Sequence, residues 1–419
     1  MYDVLRQSNA DDPLLPGCGP VLPTQDHDTS PLRQQVFEHI RAMGQVARTD
    51  IARALGISAG SVTALTAELI TAGFLQEVVE KPRETGRGRP PVALSVVSGA
   101  GHVIGIKLSD ERHSAVLTDF AGNTVADATL STTLPRKSVA ALLEEVSPLI
   151  DTLMSQTDMD ITAVSAIGVG ISGIVDHQTG AVPWSPLLTE PDADLGRLFA
   201  ERLGCRVFVD NDANILTLAE LWFGRGRTMT DFAVVTVEHG VGMGLVLGNR
   251  LFRGARGMGL ELGHIKVQLD GALCRCGQRG CLEAYLADYA LAREAATALD
   301  QVGTQTAAAA LESLFAEAKA GNQAARTIFH RAGKYLSLGL ANVIQLFDPA
   351  LIILAGERMR YDYLYADDVL KEMHRLTLDT GRPRCEVAQH AWGDLVWARG
   401  ATALALSAIT ADMIGAAAP

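Results

Sequence analysis

The first helical pattern begins at residue 31. In PLRQQVFEHIRAMG the apolar residues Leu32, Val36, Phe37 and Ile40 recur on one helical face. Two more helices are predicted in RTDIARALGIS and SAGSVTALTAELITAGFL, separated by Gly56. This is the layout of a helix-turn-helix. Ile51, Ala52 and Leu55 pack the first of these helices, Gly56 makes the turn and Ser58 caps the second, whose Val62, Leu65 and Leu69 face the core. Ser58, Ser61 and Thr63 are the candidate DNA contacts near the exposed start, where a recognition helix meets bases and phosphates. QEVVEKPRETGRGRPPVALSVV then reads as two short strands around a basic loop. Lys81, Arg83, Arg87 and Arg89 oppose only Glu84 there, the composition of a DNA-contacting wing. Arginines flanked by glycine suit the negative potential of a minor groove. Two other readings compete: a solvated interdomain linker, and a winged helix that binds protein.

From residue 102 the pattern changes to strands alternating with helices. HVIGIKLS, AVLTDF, AIGVGIS, RVFVDND, FAVVTVE, GLVLGN and ALIILAG are strand patterns. VAALLEEVSPLIDTLM, NILTLAELWFG and RAGKYLSLGLANVIQLF are helical, and the Ala-rich stretch near 306–326 reads as helix. Such alternation predicts an α/β fold with sheets covered by helices. Residues 1–29 lack periodicity and read as a flexible arm.

Length and charge narrow the class. A chain of 419 residues exceeds one ordinary core, and 48% hydrophobic with 20% charged residues is a globular composition. The net charge of -12 argues against non-specific nucleic-acid or membrane binding, without excluding a local basic patch. No secretory leader is legible, and no apolar run reaches the roughly 18 residues that span a bilayer. A cytoplasmic protein with reduced thiols is the expectation.

That setting gives meaning to CRCGQRGC, residues 274–281, which holds three of the six cysteines. Cys274, Cys276 and Cys281 sit in a glycine-rich knuckle, and His264 lies ten residues before Cys274 in ELGHIKV. Three thiolates and an imidazole form a closed tetrahedral donor set for structural zinc, worth on the order of 10 kcal/mol to local folding. The plainer alternative is three buried free cysteines. Cys18, Cys205 and Cys385 stand alone and read as inert.

ELGH followed by CRCGQRGCLE resembles the signature of ROK proteins, a family of repressors, uncharacterised reading frames and sugar kinases. VFVDNDANILTLAE, GVGISGIVD and HGVGMGLVLGNRLFRGARGMGLELGH match the same family in order. The resemblance covers residues 31 to about 408. It is to the repressor branch, whose members respond to xylose, N-acetylglucosamine or glucose. It implies a two-lobed actin-like (ribonuclease H-like) α/β domain with a sugar site in the cleft. The domain boundaries then fall at 1–29 for the arm and 30–97 for a winged helix-turn-helix. The lobes follow at 98–220 and 221–419, and the last helix is free to return to the first lobe. The family's sugar-holding residues match Gly173, Asn211, Asp212, Glu261, His264 and Glu283, with Asp212 at the kinase base position. Asn211 and Asp212 follow the apolar VFV, at a strand's carboxyl end, where α/β sheets bind ligands. The plain alternative for Asp212 is a helix N-cap. The resemblance lets His264 serve metal and sugar with opposite ring nitrogens.

The family's first phosphate hairpin reads like GIDIGGTK, whereas this chain has GIKLSDER at 105–112. Lys107 replaces the magnesium-organising aspartate, Ser109 and Asp110 replace two glycines, and Glu111 replaces threonine. Side chains at 109 and 110 obstruct close approach of a phosphate. Each added carboxylate repels it by roughly 4 kcal/mol at 4 Å and an effective dielectric near 20. Glu238 and His239 replace Gly-Thr in the second phosphate segment, and Glu357 replaces a late glycine. The expectation is a sugar-responsive transcriptional regulator, a repressor, without phosphoryl transfer. Its partners are a palindromic double-stranded operator, a sugar or sugar-phosphate effector and a second copy of the chain, as dimer or tetramer; no membrane is involved. The alternatives are a sugar kinase with an accessory DNA-binding domain, and a regulator whose signal is a protein.

Overall fold

The structure is a computed structural model. It describes residues 16–22, 30–79, 92–298, 306–356, 367–378, 381, 383–390, 393 and 395–415. They fall into two compact units, one spanning 13–230, 246–258 and 393–419, the other 231–245 and 259–392.

The first unit opens with α1 (Leu32–Met43), β1 (Val46–Ala47), α2 (Arg48–Leu55), α3 (Ala59–Thr71), β2 (Leu75–Val79) and β3 (Val92–Val96). β2 and β3 form an antiparallel hairpin and β1 pairs with β3. This is the winged helix-turn-helix, with α2 and α3 turning through 117°. Val36, Phe37, Ile40, Ile51, Val62, Leu69, Leu75 and Leu94 are its buried core. Leu32 is exposed and Leu65 half-buried; Thr66 is buried instead. Its hydroxyl accepts from Arg48 Nε at 3.1 Å, so a polar partner draws this position inward.

The first lobe follows: β4 (His102–Lys107), β5 (Arg112–Asp119), β6 (Thr124–Ser131), α4 (Val139–Met154), β7 (Val164–Ile171), β8 (Ile174–Asp176), β9 (Ala181–Trp184), α5 (Leu195–Leu203), β10 (Arg206–Asn211) and α6 (Asp212–Phe223). Its sheet runs β10-β7-β4-β5-β6, with β10, β7 and β4 parallel and β4, β5 and β6 antiparallel. Ile104 and Ile106 of β4 join the core that α4 and α5 complete. Gly105, between them, faces the other way. A side chain there would collide with the Ala398 carbonyl of the final helix, so the missing Cβ lets that helix lie close on the sheet.

The second unit contains β11 (Phe232–Val237), β12 (Val241–Leu247), α7 (Glu283–Leu286), α8 (Asp288–Ala298), α9 (Ala307–Ala320), α10 (Gln323–Phe347), β14 (Leu351–Ala355), α11 (Asp367–Leu376) and β15 (Glu386–His390); the short β13 (Arg250–Phe252) lies between β12 and α7 in the chain. Strands β12, β11, β14 and β15 lie side by side in that order, the last three parallel. The Ala-rich stretch is two helices, because Gly321 in the left-handed conformation ends α9 and the Asn322 side chain caps α10. α12 (Val396–Thr410) returns to the first unit and packs on α6, β4 and β7.

The winged helix is bound to the first lobe by aromatic packing. The Phe120 ring at the end of β5 lies 5.1 Å from Phe37 and 6.1 Å from Phe74. Residues 16–22, which carry no periodicity, are seated rather than free. Cys18 N–H bonds the Arg41 carbonyl at 3.1 Å, and Gly19 N–H bonds that of Trp222 at 2.9 Å. Arg227 donates to the carbonyls of Gly19 and Ala42. Backbone hydrogen bonds hold this segment, and they leave no apolar period to read. Among the described residues no single helix is long and apolar enough to cross a membrane.

Candidate functional site

Two short bridges, Lys266 with Cys281 and Leu273 with Arg279, fold residues 264–281 back on themselves. Gly277 and Gly280, at φ 84° and 76°, make the turns that bring the cysteines round. The ligand atoms of His264, Cys274, Cys276 and Cys281 then all lie within 4.8 Å of one another. Cys276 Sγ is 3.7 Å from Cys281 Sγ, and His264 Nδ1 is 3.7 Å from Cys274 Sγ. The three are free thiols, not a disulfide pair. Metal–sulfur bonds of about 2.3 Å give a tetrahedron with edges of about 3.8 Å, so these atoms fit the corners around one metal ion. Lys266 Nζ approaches Cys281 Sγ at 2.9 Å.

Glu283 is buried at the start of α7, beside this cluster. Its Oε1 accepts from the Tyr289 hydroxyl at 3.4 Å and lies 3.6 Å from Cys274 Sγ; Oε2 accepts from the Val241 amide at 3.4 Å. Glu261 is exposed, immediately before the single turn Leu262–His264. In the β11–β12 turn the Glu238 amide bonds the Gly240 carbonyl at 2.9 Å. The Glu238 side chain lies over Gly356, so near that a Cβ there would meet its Cγ at 2.9 Å. Glu357 lies outside the described residues.

In the first unit, Gly173, Asn211 and Asp212 come together where β7 and β10 end. Gly173 has φ 127°, and its carbonyl accepts from Asn211 Nδ2 at 2.7 Å. Asn211, not Asp212, is the N-cap of α6: its Oδ1 accepts from the Ala213 amide at 2.8 Å. Asp212 is the first helical residue, and its Oδ2 receives Lys107 Nζ at 2.9 Å and the Ser172 hydroxyl. Burial pushes its carboxyl up, but the Lys107 charge and these hydrogen bonds outweigh that and hold it below the usual carboxylate value.

The loop after Lys107 is closed on itself. Three of the amides at 108–111 are occupied: Leu108 N–H by the Gly170 carbonyl at 2.9 Å, Ser109 N–H by His113 Nδ1 at 3.2 Å and Glu111 N–H by Ser109 Oγ at 3.4 Å. His113 is fully buried and its Nε2 faces Glu145 Oε2 at 3.1 Å, so one neutral tautomer satisfies both contacts. Burial pushes the imidazole pKa down. Lys137 also pairs with Glu145.

On the winged helix, the Ser58 hydroxyl caps α3 by accepting from the Ser61 amide at 3.0 Å, and it meets Ser61 Oγ at 2.9 Å. Exposed Thr63 donates back to the Ala59 carbonyl at 2.8 Å. Lys81, Arg83, Arg87 and Arg89 lie outside the described residues.

The ROK family model matches residues 103–408. The chain belongs to the ROK family. Among ROK relatives, the DNA-binding transcriptional dual regulator NagC of Escherichia coli K12 is 30% identical over 330 residues, 77% of this chain and 79% of that protein. The xylose repressor of Caldicellulosiruptor bescii is 27% identical over 331 residues, 77% of this chain and 82% of that one. A crystal structure of a ROK family transcriptional regulator, a homolog of the E. coli MLC protein, superposes with TM-score 0.75 at 25% identity, over 91% of this chain and 96% of that one. A ROK family glucokinase from Streptomyces griseus, in complex with glucose and AMPPNP, gives 0.61 at 27% identity, over 73% of this chain and 99% of the kinase. The actin-like α/β fold with its N-terminal winged helix is thus shared with ROK regulators.

Sequence patterns pointed to Asp212 and to Lys107 separately, but not to their ion pair. The pair joins residues 105 positions apart. Ser172, Tyr289 and Lys266 were also missed; each is an ordinary polar residue whose partner comes from another element. The one available signal was a lone lysine in the apolar strand HVIGIK, which needs a counter-ion once half-buried.

Proposed function

We propose that this protein is a sugar-responsive, DNA-binding transcriptional regulator, a repressor of carbohydrate genes, whose kinase-like domain senses without phosphoryl transfer. The observation that carries this reading is the first phosphate hairpin. Phosphate cradles work by aiming free backbone amides at the anion. Here three of the four amides at 108–111 are spent on Gly170, His113 and Ser109. Lys107, in the place of the magnesium-organising aspartate, pairs with Asp212 and makes the kinase base position less basic. The regulators among its relatives support the same conclusion.

In this reading Gly173, Asn211, Asp212, Glu261, His264 and Glu283 are the sugar-holding residues. Zinc is the metal of the Cys3His knuckle, since three thiolates and an imidazole are its preferred closed donor set. With His264 Nδ1 toward the sulfurs, Nε2 is left for a sugar hydroxyl. The chain works as a homodimer or larger assembly that sets two α3 helices on a palindromic operator. Ser61 and Thr63 offer the few side-chain contacts to DNA, while Arg87, Arg89, Lys81 and Arg83 form the basic wing.

The test is fluorescence anisotropy on operator fragments selected from genomic DNA, with a panel of hexoses, pentoses, N-acetyl sugars and their phosphates. One sugar class should change operator affinity by tenfold or more, and affinity should fall steeply with salt. ATP turnover on any sugar of the panel would overturn the non-catalytic reading. Indifference of DNA binding to the whole panel would overturn the sensor.

A further inference from the structure

The seam where α1 meets α6 and α12, all within the first unit, holds an open pocket of about 420 Å³. That volume lies in the range of small-ligand sites. At its wall sits Arg41, only 2% exposed. Its guanidinium is sandwiched, 4.6 Å from the Trp222 ring centroid and 5.3 Å from that of Phe37. One nitrogen donates to Thr410 Oγ1 at 2.8 Å, and Nε is buried without a partner. Among the described residues no carboxylate neutralises it.

Arg227, a few residues past Trp222 and equally buried, shows the ordinary solution. Three carbonyls, of Pro16, Gly19 and Ala42, accept from it. Arg41 has one hydroxyl and two ring faces instead. Ring faces attract a cation only weakly compared with an ionic partner, and a buried unpaired charge is costly. Arg250 and Arg253 also line it, but both are engaged, Arg253 with Asp210, so Arg41 is the lining cation that lacks an ionic partner among the described residues. Among the described residues the one acidic lining residue is Glu38, whose Oε1 accepts from Gln34 Nε2 at 2.9 Å.

We propose that this cavity is a second effector site, taking a phosphate group, free or carried on a small metabolite, against Arg41. Nothing in the sugar reading requires it. The consequence is direct: the anion would bond one helix of the DNA-binding domain to the two helices that close the first lobe. It would act as a second input on the same output.

The experiment uses full-length protein without DNA, by calorimetry and thermal shift. The probes are inorganic phosphate, glucose 6-phosphate and glucose. One site per chain should be filled by inorganic phosphate, by glucose 6-phosphate, or by both, and the stronger of the two identifies the natural source. Affinity for inorganic phosphate, which lacks the sugar that Asp212 would hold, should fall at least tenfold in Arg41→Met and stay within twofold in Asp212→Asn. Ser407→Asp keeps Arg41 and places a tethered carboxylate on the exposed cavity rim, so it should abolish binding even if Arg41→Met folds poorly. Binding lost in Asp212→Asn but intact in Ser407→Asp would assign the phosphate to the proposed sugar site and overturn this one. Silence of both phosphate probes at millimolar concentration would overturn it as well.

Discussion

The knuckle at 264–281 and the hairpin at 107–113 are both short, polar and turn-rich, yet they differ in where their polar atoms point. In the knuckle three sulfurs and an imidazole nitrogen converge on one point, and at 3.7 Å they do not satisfy one another; Lys266 Nζ, 2.9 Å from Cys281 Sγ, comes from outside the four. In the hairpin the donors point back into the chain that made them. A guest is called for where donors or acceptors converge without satisfying one another. By that criterion the first region is built to hold something and the second is built to hold itself. Both occur in a family that includes kinases, so the contrast bears on the proposal that this chain kept a metal knuckle and closed a phosphate cradle.

The largest effect should come from emptying the first region. Cys276→Ser should take metal from about one ion per chain to none, by plasma mass spectrometry. Apparent metal-binding free energies of about 10 kcal/mol or more are coupled to folding, so the melting temperature should fall with it. Unchanged metal content would break the comparison at once. Next is the root of the hairpin. Lys107→Met leaves Asp212 without its cation and should cost about 2 kcal/mol in a urea titration. Asp212 is held below its ordinary pKa, so the pair's contribution is present above about pH 4 and fades as pH falls through the lowered value. The deficit of Lys107→Met should therefore persist at pH 5 and narrow only in stronger acid. A deficit that closed by pH 6 would show the ion pair to be irrelevant to stability.

His113→Gln should produce a smaller change, in slope. The buried imidazole resists protonation, so the unfolded chain takes up the proton first. Stability is then lost as pH drops below about 6.5, at no more than about 1.4 kcal/mol per pH unit. The glutamine variant should lose less between pH 7 and 5 than the parent; parallel curves would refute the assignment. Smallest of all is an expected absence of effect. Asp110→Gly removes bulk and charge but leaves the Ser109 amide on His113 and the Glu111 amide on Ser109 Oγ, so calorimetry with magnesium ATP should still register no binding. Submillimolar binding would mean that bulk and charge, not internal satisfaction, had closed the cradle.

These contrasts also explain what could be read from sequence. The knuckle was legible because its ligands are local and its turns are glycines. The strands around Ile104, Val169 and Ile353 were legible as apolar runs. β6 was not, since Ala126 and Ala128 are its buried residues and alanine carries little strand signal. Thr66 replaced Leu65 in the core because of Arg48, which arrives from another helix. The recognition helix was found with its cap, Ser58, because capping is a three-residue pattern. The candidate ligand site was half legible: Asp212 announces itself in a motif, whereas Lys107 and Ser172 matter only once β4, β7 and α6 are assembled.

The glycine at 105 sets an order of events during synthesis. The face of β4 that it leaves flat is covered by α12, and α12 is made only after the whole second unit has been translated. A nascent chain that has emerged through residue 390 thus has its winged helix complete but the supporting sheet still bare on one side. Ribosome-arrested chains of that length should be cut by protease within β4 and β7, and extension past residue 410 should protect them; equal protection at both lengths would refute this order. Operator binding by this protein is accordingly expected to await the end of its own translation.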